Sequence, residues 1–186
     1  MTRRIVALLI VLWLAACAQY SLVEPGKRKI GEAFTVEPAI AWSASAEGKL
    51  ETWTVDGPAL EAIHFVKALA DGDPLLGPGR PEEKRPVFRK DMSESEVMEF
   101  LIDSIAASGI ARVEASGLRP ISFGAVPGFR FEFSYLSAEG LEMDGMAAGA
   151  IVDGKLYVII YSGAHAYYYP KYMPEVERLI DSIEML

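Results

Sequence analysis

The amino-acid sequence predicts an α+β fold, an antiparallel β-sheet flanked by helices, and three observations predict it. Apolar and polar residues alternate with a period of two through much of 33–69 and 111–161. Residues 93–109 and 175–186 switch to a helical period with one apolar stripe each. The order is therefore strands, helix, antiparallel strands, helix, which builds one sheet with helices packed on it.

At the start of the chain, Thr2-Arg3-Arg4 is a short cationic segment and Ile5 to Leu14 an uninterrupted apolar one, the order of a secretory signal. The apolar run falls short of the roughly 20 residues needed to span a bilayer. Leu14-Ala15-Ala16-Cys17 resembles the lipobox of bacterial lipoproteins. That resemblance implies cleavage between Ala16 and Cys17, diacylglycerol on the Cys17 thiol and acylation of the new amino group. Several acyl chains, at about 0.8 kcal/mol per buried methylene, make a stable anchor where one chain is reversible. Ala18 stands where an aspartate marks inner-membrane retention in enteric Gram-negative bacteria, which points to the periplasmic face of an outer membrane where one exists. The expected organisation is a signal peptide over 1–16, a lipidated stalk over 17–31 containing Pro25-Gly26 and Lys27-Arg28-Lys29, and a single α+β domain over 32–186.

The formal charge of -8 becomes -10 once Arg3 and Arg4 leave with the signal, and this acidity argues against nucleic acid as a partner. The local basic run 27–29 lies near lipid headgroups, where each basic residue contributes only about 1 kcal/mol, so it reads mainly as a solvated tether. Cys17 is the sole cysteine, so no intramolecular disulfide can form. Stability must come from a core, for which a chain that is 51% apolar has enough material.

Strands are expected at Ala33–Glu37, Ile40–Ser45 and Leu50–Val55, with Glu47-Gly48 as a turn. Ala62–Leu69 fits a strand or a short helix, and the close punctuation at both ends by Asp56-Gly57-Pro58 and Asp71-Gly72-Asp73-Pro74 favours a fourth strand. Residues 73–90, crowded with proline, glycine and charge, read as a long surface loop. Ser93 with Glu96 three residues on is a capping box for a helix ending at Gly109. Strands follow at Ala111–Ala115, Ile121–Ala125, Phe129–Leu136, Glu142–Val152 and Leu156–Tyr161, with hairpin turns at 138–140 and 153–154. Glu175–Leu186 closes the chain as an amphipathic helix.

The segments Phe129-Arg130-Phe131-Glu132-Phe133 and Lys155-Leu156-Tyr157-Val158-Ile159, the tyrosine-rich Tyr167 to Tyr172 and a final helix through Ile180-Asp181-Ser182-Ile183 resemble the PsbP-like and DcrB-like group of exported proteins. The resemblance implies an antiparallel sheet flanked by helices, in a group whose members mostly serve as non-enzymatic binding or assembly factors.

Chemistry-bearing residues are few. Beyond Cys17 there is no thiol, and the only imidazoles are His64 and His165. Serine-hydrolase, metalloprotease and nucleotide-binding motifs are all missing, so no catalytic residue, metal or cofactor is expected. His64, in an apolar run, reads as a partly buried sheet histidine. Asp71 and Asp73 read as turn formers, because an EF-hand needs further oxygen ligands at fixed spacing. His165 stands among Tyr167, Tyr169 and Tyr172, and two readings remain: these side chains line a contact surface, or the rings cover the sheet where the chain enters its last helix.

The expected function is a lipid-anchored, non-catalytic binding or assembly module of the cell envelope, its partner an envelope protein or a small ligand. A carrier of small molecules or lipids is the alternative and requires an apolar cavity beside the sheet. An enzyme using His165 is the third reading and requires a carboxylate next to that ring.

Overall fold

An eight-stranded antiparallel sheet forms the middle of the computed structural model, which describes residues 20–77 and 85–186. The expected signal peptide, Ala16 and Cys17 lie outside the described residues. The elements are β1 (Ser21–Val23), β2 (Arg28–Ile30), β3 (Phe34–Val36), β4 (Trp42–Glu47), β5 (Leu50–Thr54), β6 (Glu61–Leu69), α1 (Glu94–Ala106), β7 (Ala111–Phe123), β8 (Val126–Leu136), β9 (Glu142–Val152), β10 (Lys155–Ala164), α2 (Tyr168–Asp181) and β11 (Glu184–Met185). The large sheet runs β1-β4-β5-β6-β10-β9-β8-β7, and β11-β3-β2 form a small second sheet. The α+β class expected from the periodicity is the class observed.

Alternation along the strands sends side chains to opposite faces and so builds two cores. Ile159 and Tyr161 of β10, Met146 and Ala148 of β9, and Trp53 of β5 join Phe34, Val36, Val176 and Leu179 beneath α2 and the small sheet. Val158 and Ile160 of β10, with Phe129, Phe131 and Phe133 of β8, face Val97, Phe100 and Leu101 of α1. The Ser93 hydroxyl accepts from Glu96 N at the start of α1, and the Glu96 carboxylate accepts from Ser93 N in return. This is the reciprocal capping that the sequence predicts.

The three β8 rings require small partners. Phe129, Phe131 and Phe133 stand directly across from Gly149, Ala147 and Gly145 of β9. A Cβ at Gly145 would lie 2.2 Å from the Phe133 ring, so that ring rests on bare backbone.

Four expectations change. The stretch 20–31, read as stalk, carries β1 and β2: Val23 and Ile30 are buried, β1 pairs with β4, and β2 pairs with β3. Two strands expected over 111–125 are one continuous β7, interrupted by register shifts between Ala111 and Glu114 and between Ser116 and Arg119. Gly117, at φ +69, supplies the left-handed backbone of the second irregularity, and Pro120 is tolerated because β7 is an edge strand. The 73–90 loop is tied down in its described part, with Pro74 bridging Val87 and Phe88 fully buried. The last helix starts at Tyr168 rather than Glu175. Pro170 falls in its first turn, where amide groups have no intrahelical acceptor, and the helix ends early because Glu184–Met185 pairs with β3.

Gly145→Ala should lower stability by about 1–3 kcal/mol through overpacking. The measurement is the urea midpoint at unchanged m, and an unmoved midpoint would mean that the Phe133 ring yields freely.

Candidate functional site

The tyrosine-rich segment joins β10 to α2, and the sheet holds the first turn of that helix directly. Tyr161 is fully buried on β10, and its hydroxyl donates to the carbonyls of Tyr168 at 2.9 Å and Tyr169 at 3.1 Å. The Tyr161 and Tyr169 rings stack 5.3 Å apart. Burial raises the Tyr161 hydroxyl well above its ordinary range, so it remains a donor. Tyr172 lies against Trp42 at 5.9 Å and donates to Asp56 Oδ2 at 2.5 Å. Lys171 donates to the same oxygen at 2.8 Å, and its ammonium sits 4.5 Å from the Tyr172 ring centre. These two donors hold Asp56 below the usual carboxylate range.

The sequence-singled residues therefore separate. Tyr172 is buried and Tyr169 partly buried, both binding the helix to the sheet, whereas Tyr167, 59% exposed, and His165 reach solvent. Of the four residues expected to line a contact surface, only that pair is exposed, because the packing of α2 uses the other two rings.

His165 has a partner 21 residues away in sequence. Its Nδ1 meets Asp144 Oδ2 at 2.6 Å, and its backbone amide donates to the Glu142 carbonyl at 3.0 Å. The Asp144 carboxylate raises the His165 pKa above the ordinary 6.5. A depression of about 310 Å³ lies here, edged by Arg112, Glu114, Ser134, Glu142 and the pair itself. A neighbouring one of about 320 Å³ shares Glu114, Ser134 and Asp144 and extends to Glu132 and Tyr169. The carboxylate that an acid-base role for His165 requires is present. The imidazole is oriented by it but 61% exposed, so water screens the pair.

No motif in the sequence marks the ion-pair chain beside this surface. Arg119 grips Glu132 with two hydrogen bonds of 2.9 and 2.8 Å, Arg130 reaches Glu132 at 3.2 Å, and Arg130 grips Glu177 of α2 at 2.6 and 2.7 Å. The chain links β7, β8 and α2, and of its members only Arg130 and Glu132 carry a sequence signal, their alternation with the β8 phenylalanines. Asp71 and Asp73 serve their turns, accepting from Lys90 N at 3.0 Å and Ala70 N at 2.7 Å. Among the described residues no group of three or more His, Cys, Asp or Glu is placed to hold a metal ion, and no helix is long and apolar enough to cross a membrane. His64 is partly buried on β6, its Nδ1 2.9 Å from Thr52 Oγ1, and burial lowers its pKa to about 4.

No family model matches this chain, and no curated protein matches it. Solved structures do. The solution structure of cyanobacterial PsbP (CyanoP) from Synechocystis sp. PCC 6803 superimposes with a TM-score of 0.59 at 10% identity, covering 92% of this chain and 95% of that one. LpqN of Mycobacterium tuberculosis, described as involved in cell envelope biogenesis, aligns over 92% of this chain and 86% of its own at 9% identity and a TM-score of 0.40. The large antiparallel sheet with its two helices has the PsbP-like α+β fold.

The two histidines should titrate on opposite sides of 6.5. In an NMR pH titration His165 moves above that value and His64 to about 4, and Asp144→Asn returns His165 toward 6.5 without moving His64. The signs for stability also differ. Unfolded chains take up the His64 proton below about 6.5 while the folded chain resists until about 4, so stability falls as pH drops through that window. The loss, on the order of 3 kcal/mol, is read as the difference between wild type and His64→Gln. The His165 pair acts in reverse, present below 6.5 and lost as pH rises past its raised value.

Proposed function

We propose that this protein is a lipid-anchored module of the bacterial cell envelope that acts by holding a partner, without catalysing a reaction. The observation that carries the reading is the position of β1. Its first residue, Ser21, is four positions beyond Cys17, and an extended chain covers at most about 3.5 Å per residue. Lipids on Cys17 would hold the folded domain within about 14 Å of the membrane. Leu22 and Tyr20 are exposed at that edge, 65% and 42%, and offer apolar contact to the interface. Lys27 and Lys29 already pair with Glu184 and Glu32, which leaves little basic charge for anionic headgroups.

The surface around His165, Tyr167 and Asp144 lies away from this edge. Asp144 is on β9, five strands from β1, a separation of about 24 Å at about 4.8 Å per strand. A partner approaching there meets carboxylates, an oriented imidazole and one exposed tyrosine. The polar, open character of the surface supports protein recognition over chemistry on a desolvated substrate, and the missing catalytic motifs support the same reading.

Crosslinking the full-length protein in cells of its native host, with a Cys17→Ser version beside it, tests this. One dominant envelope protein should be captured, lost with Cys17→Ser and reduced by Tyr167→Ala combined with His165→Ala. Equal membrane retention of the Cys17→Ser protein would refute the anchor, and robust turnover on a broad hydrolase panel would refute the non-catalytic role.

A further inference from the structure

The sheet face beneath α1 is incompletely covered. α1 ends at Ala106, and Leu75 and Leu76 approach the same face over β5 and β6. Between them lies a cavity of about 160 Å³ walled by Leu50, Leu75, Leu76, Ile105, Phe133 and Ile160. The remaining lining includes His64, Ser108, Tyr135 and Ser162, and none of the lining residues carries a charge at neutral pH. The Tyr135 hydroxyl donates to Ser162 Oγ at 3.2 Å, and Thr52 Oγ1 occupies His64 Nδ1 at 2.9 Å. Among the described residues the Ser162 proton and His64 Nε2 have no hydrogen-bond partner, so one donor and one further ring nitrogen are available at the polar end.

We propose that this cavity binds a small uncharged amphiphile, a molecule of the alkylphenol or short-chain alcohol class. Size sets the first limit: an apolar cavity of about 150 Å³ lined by Leu, Ile and Phe accommodates benzene, so the ligand has about six to nine non-hydrogen atoms inside the cavity. Polarity sets the second. The hydrocarbon part meets leucine, isoleucine and phenylalanine, and a single hydroxyl meets Ser162, Tyr135 and His64. A charged ligand would lose its hydration with no counter-ion among the walls to replace it. A neighbouring depression of about 450 Å³, between Glu47–Leu50 and Asp73–Gly77, shares Leu50, Leu75 and Leu76, so a longer alkyl substituent has room to continue. This is the apolar cavity that the carrier reading requires, and the inference stands independently of the anchor.

The test is a titration of 4-ethylphenol into the full-length chain in detergent micelles, with ¹³C-labelled isoleucine and leucine methyls observed by NMR. Saturable shifts are expected at Leu50, Leu75, Leu76, Ile105 and Ile160, and none at Leu179 or Ile180 in the opposite core. Ser108 is exposed where it lines the cavity, so Ser108→Trp plugs the space without entering the core and should weaken binding about tenfold or more. Tyr135→Phe with Ser162→Ala should erase an about fivefold preference for 4-ethylphenol over ethylbenzene, the value of one neutral hydrogen bond. Micelle partitioning acts on wild type and variants alike, so differences between them report the site. Unsaturable shifts, or identical binding by Ser108→Trp, would overturn the proposal, and 4-ethylbenzoate binding as tightly as 4-ethylphenol at pH 7 would overturn its restriction to uncharged ligands.

Discussion

The rest of the structure depends on the contact between β8 and β9. Three phenylalanines of one strand lie across two glycines and an alanine of the next; a Cβ at Gly145 would strike the Phe133 ring, and one at Gly149 would strike the Tyr157 carbonyl of β10 and crowd the Phe129 ring. The rings then present a broad apolar floor on which α1 docks through Val97, Phe100 and Leu101. Because side chains alternate, the residues between those phenylalanines, Arg130 and Glu132, must point the other way, where Arg130 reaches Glu177 on α2. A single strand thus sets the position of both helices, one by packing and one by charge-assisted hydrogen bonds. Such a bidentate pair, partly shielded from water, fixes orientation more than it adds stability.

Most strands and the capped helix were legible because each buries a full face and so imposes its period on the sequence. The failures have equally physical causes. β1 and β2 are three residues long with one buried side chain each, Val23 and Ile30, and one residue makes no period. The start of α2 is hidden by Pro170 and Pro174, which read as helix breakers: the first turn of a helix has no use for the amide that Pro170 lacks, whereas Pro174 lies inside the helix and gives up one intrahelical bond, to the carbonyl of residue 170. β7 is hidden by its own irregularities, which shift the alternation at Gly117.

At the candidate site, the sequence singled out His165 and its tyrosines but gave no indication of Asp144, which arrives from the adjacent strand through hairpin register. It also gave no means of ranking the rings. Tyr161, Tyr169 and Tyr172 hold α2 to the sheet, and that role depends on which face each occupies after folding. The cavity near His64 is the same kind of property: its walls come from β5, β6, β8, β10, α1 and the 75–76 segment, and no local pattern marks a place where packing stops short.

The two ends of the large sheet differ from its middle. At one end β7 carries two register shifts and a proline, and at the other β1 is three residues long. A further strand seeking to add to β7 meets an irregular ladder in which residue 120 has no amide to offer, and one seeking to add to β1 finds a template of only a few bonds. Copies of this protein can therefore be crowded together without zipping into a shared sheet, a protection against polymerisation that comes from the backbone and owes nothing to surface charge.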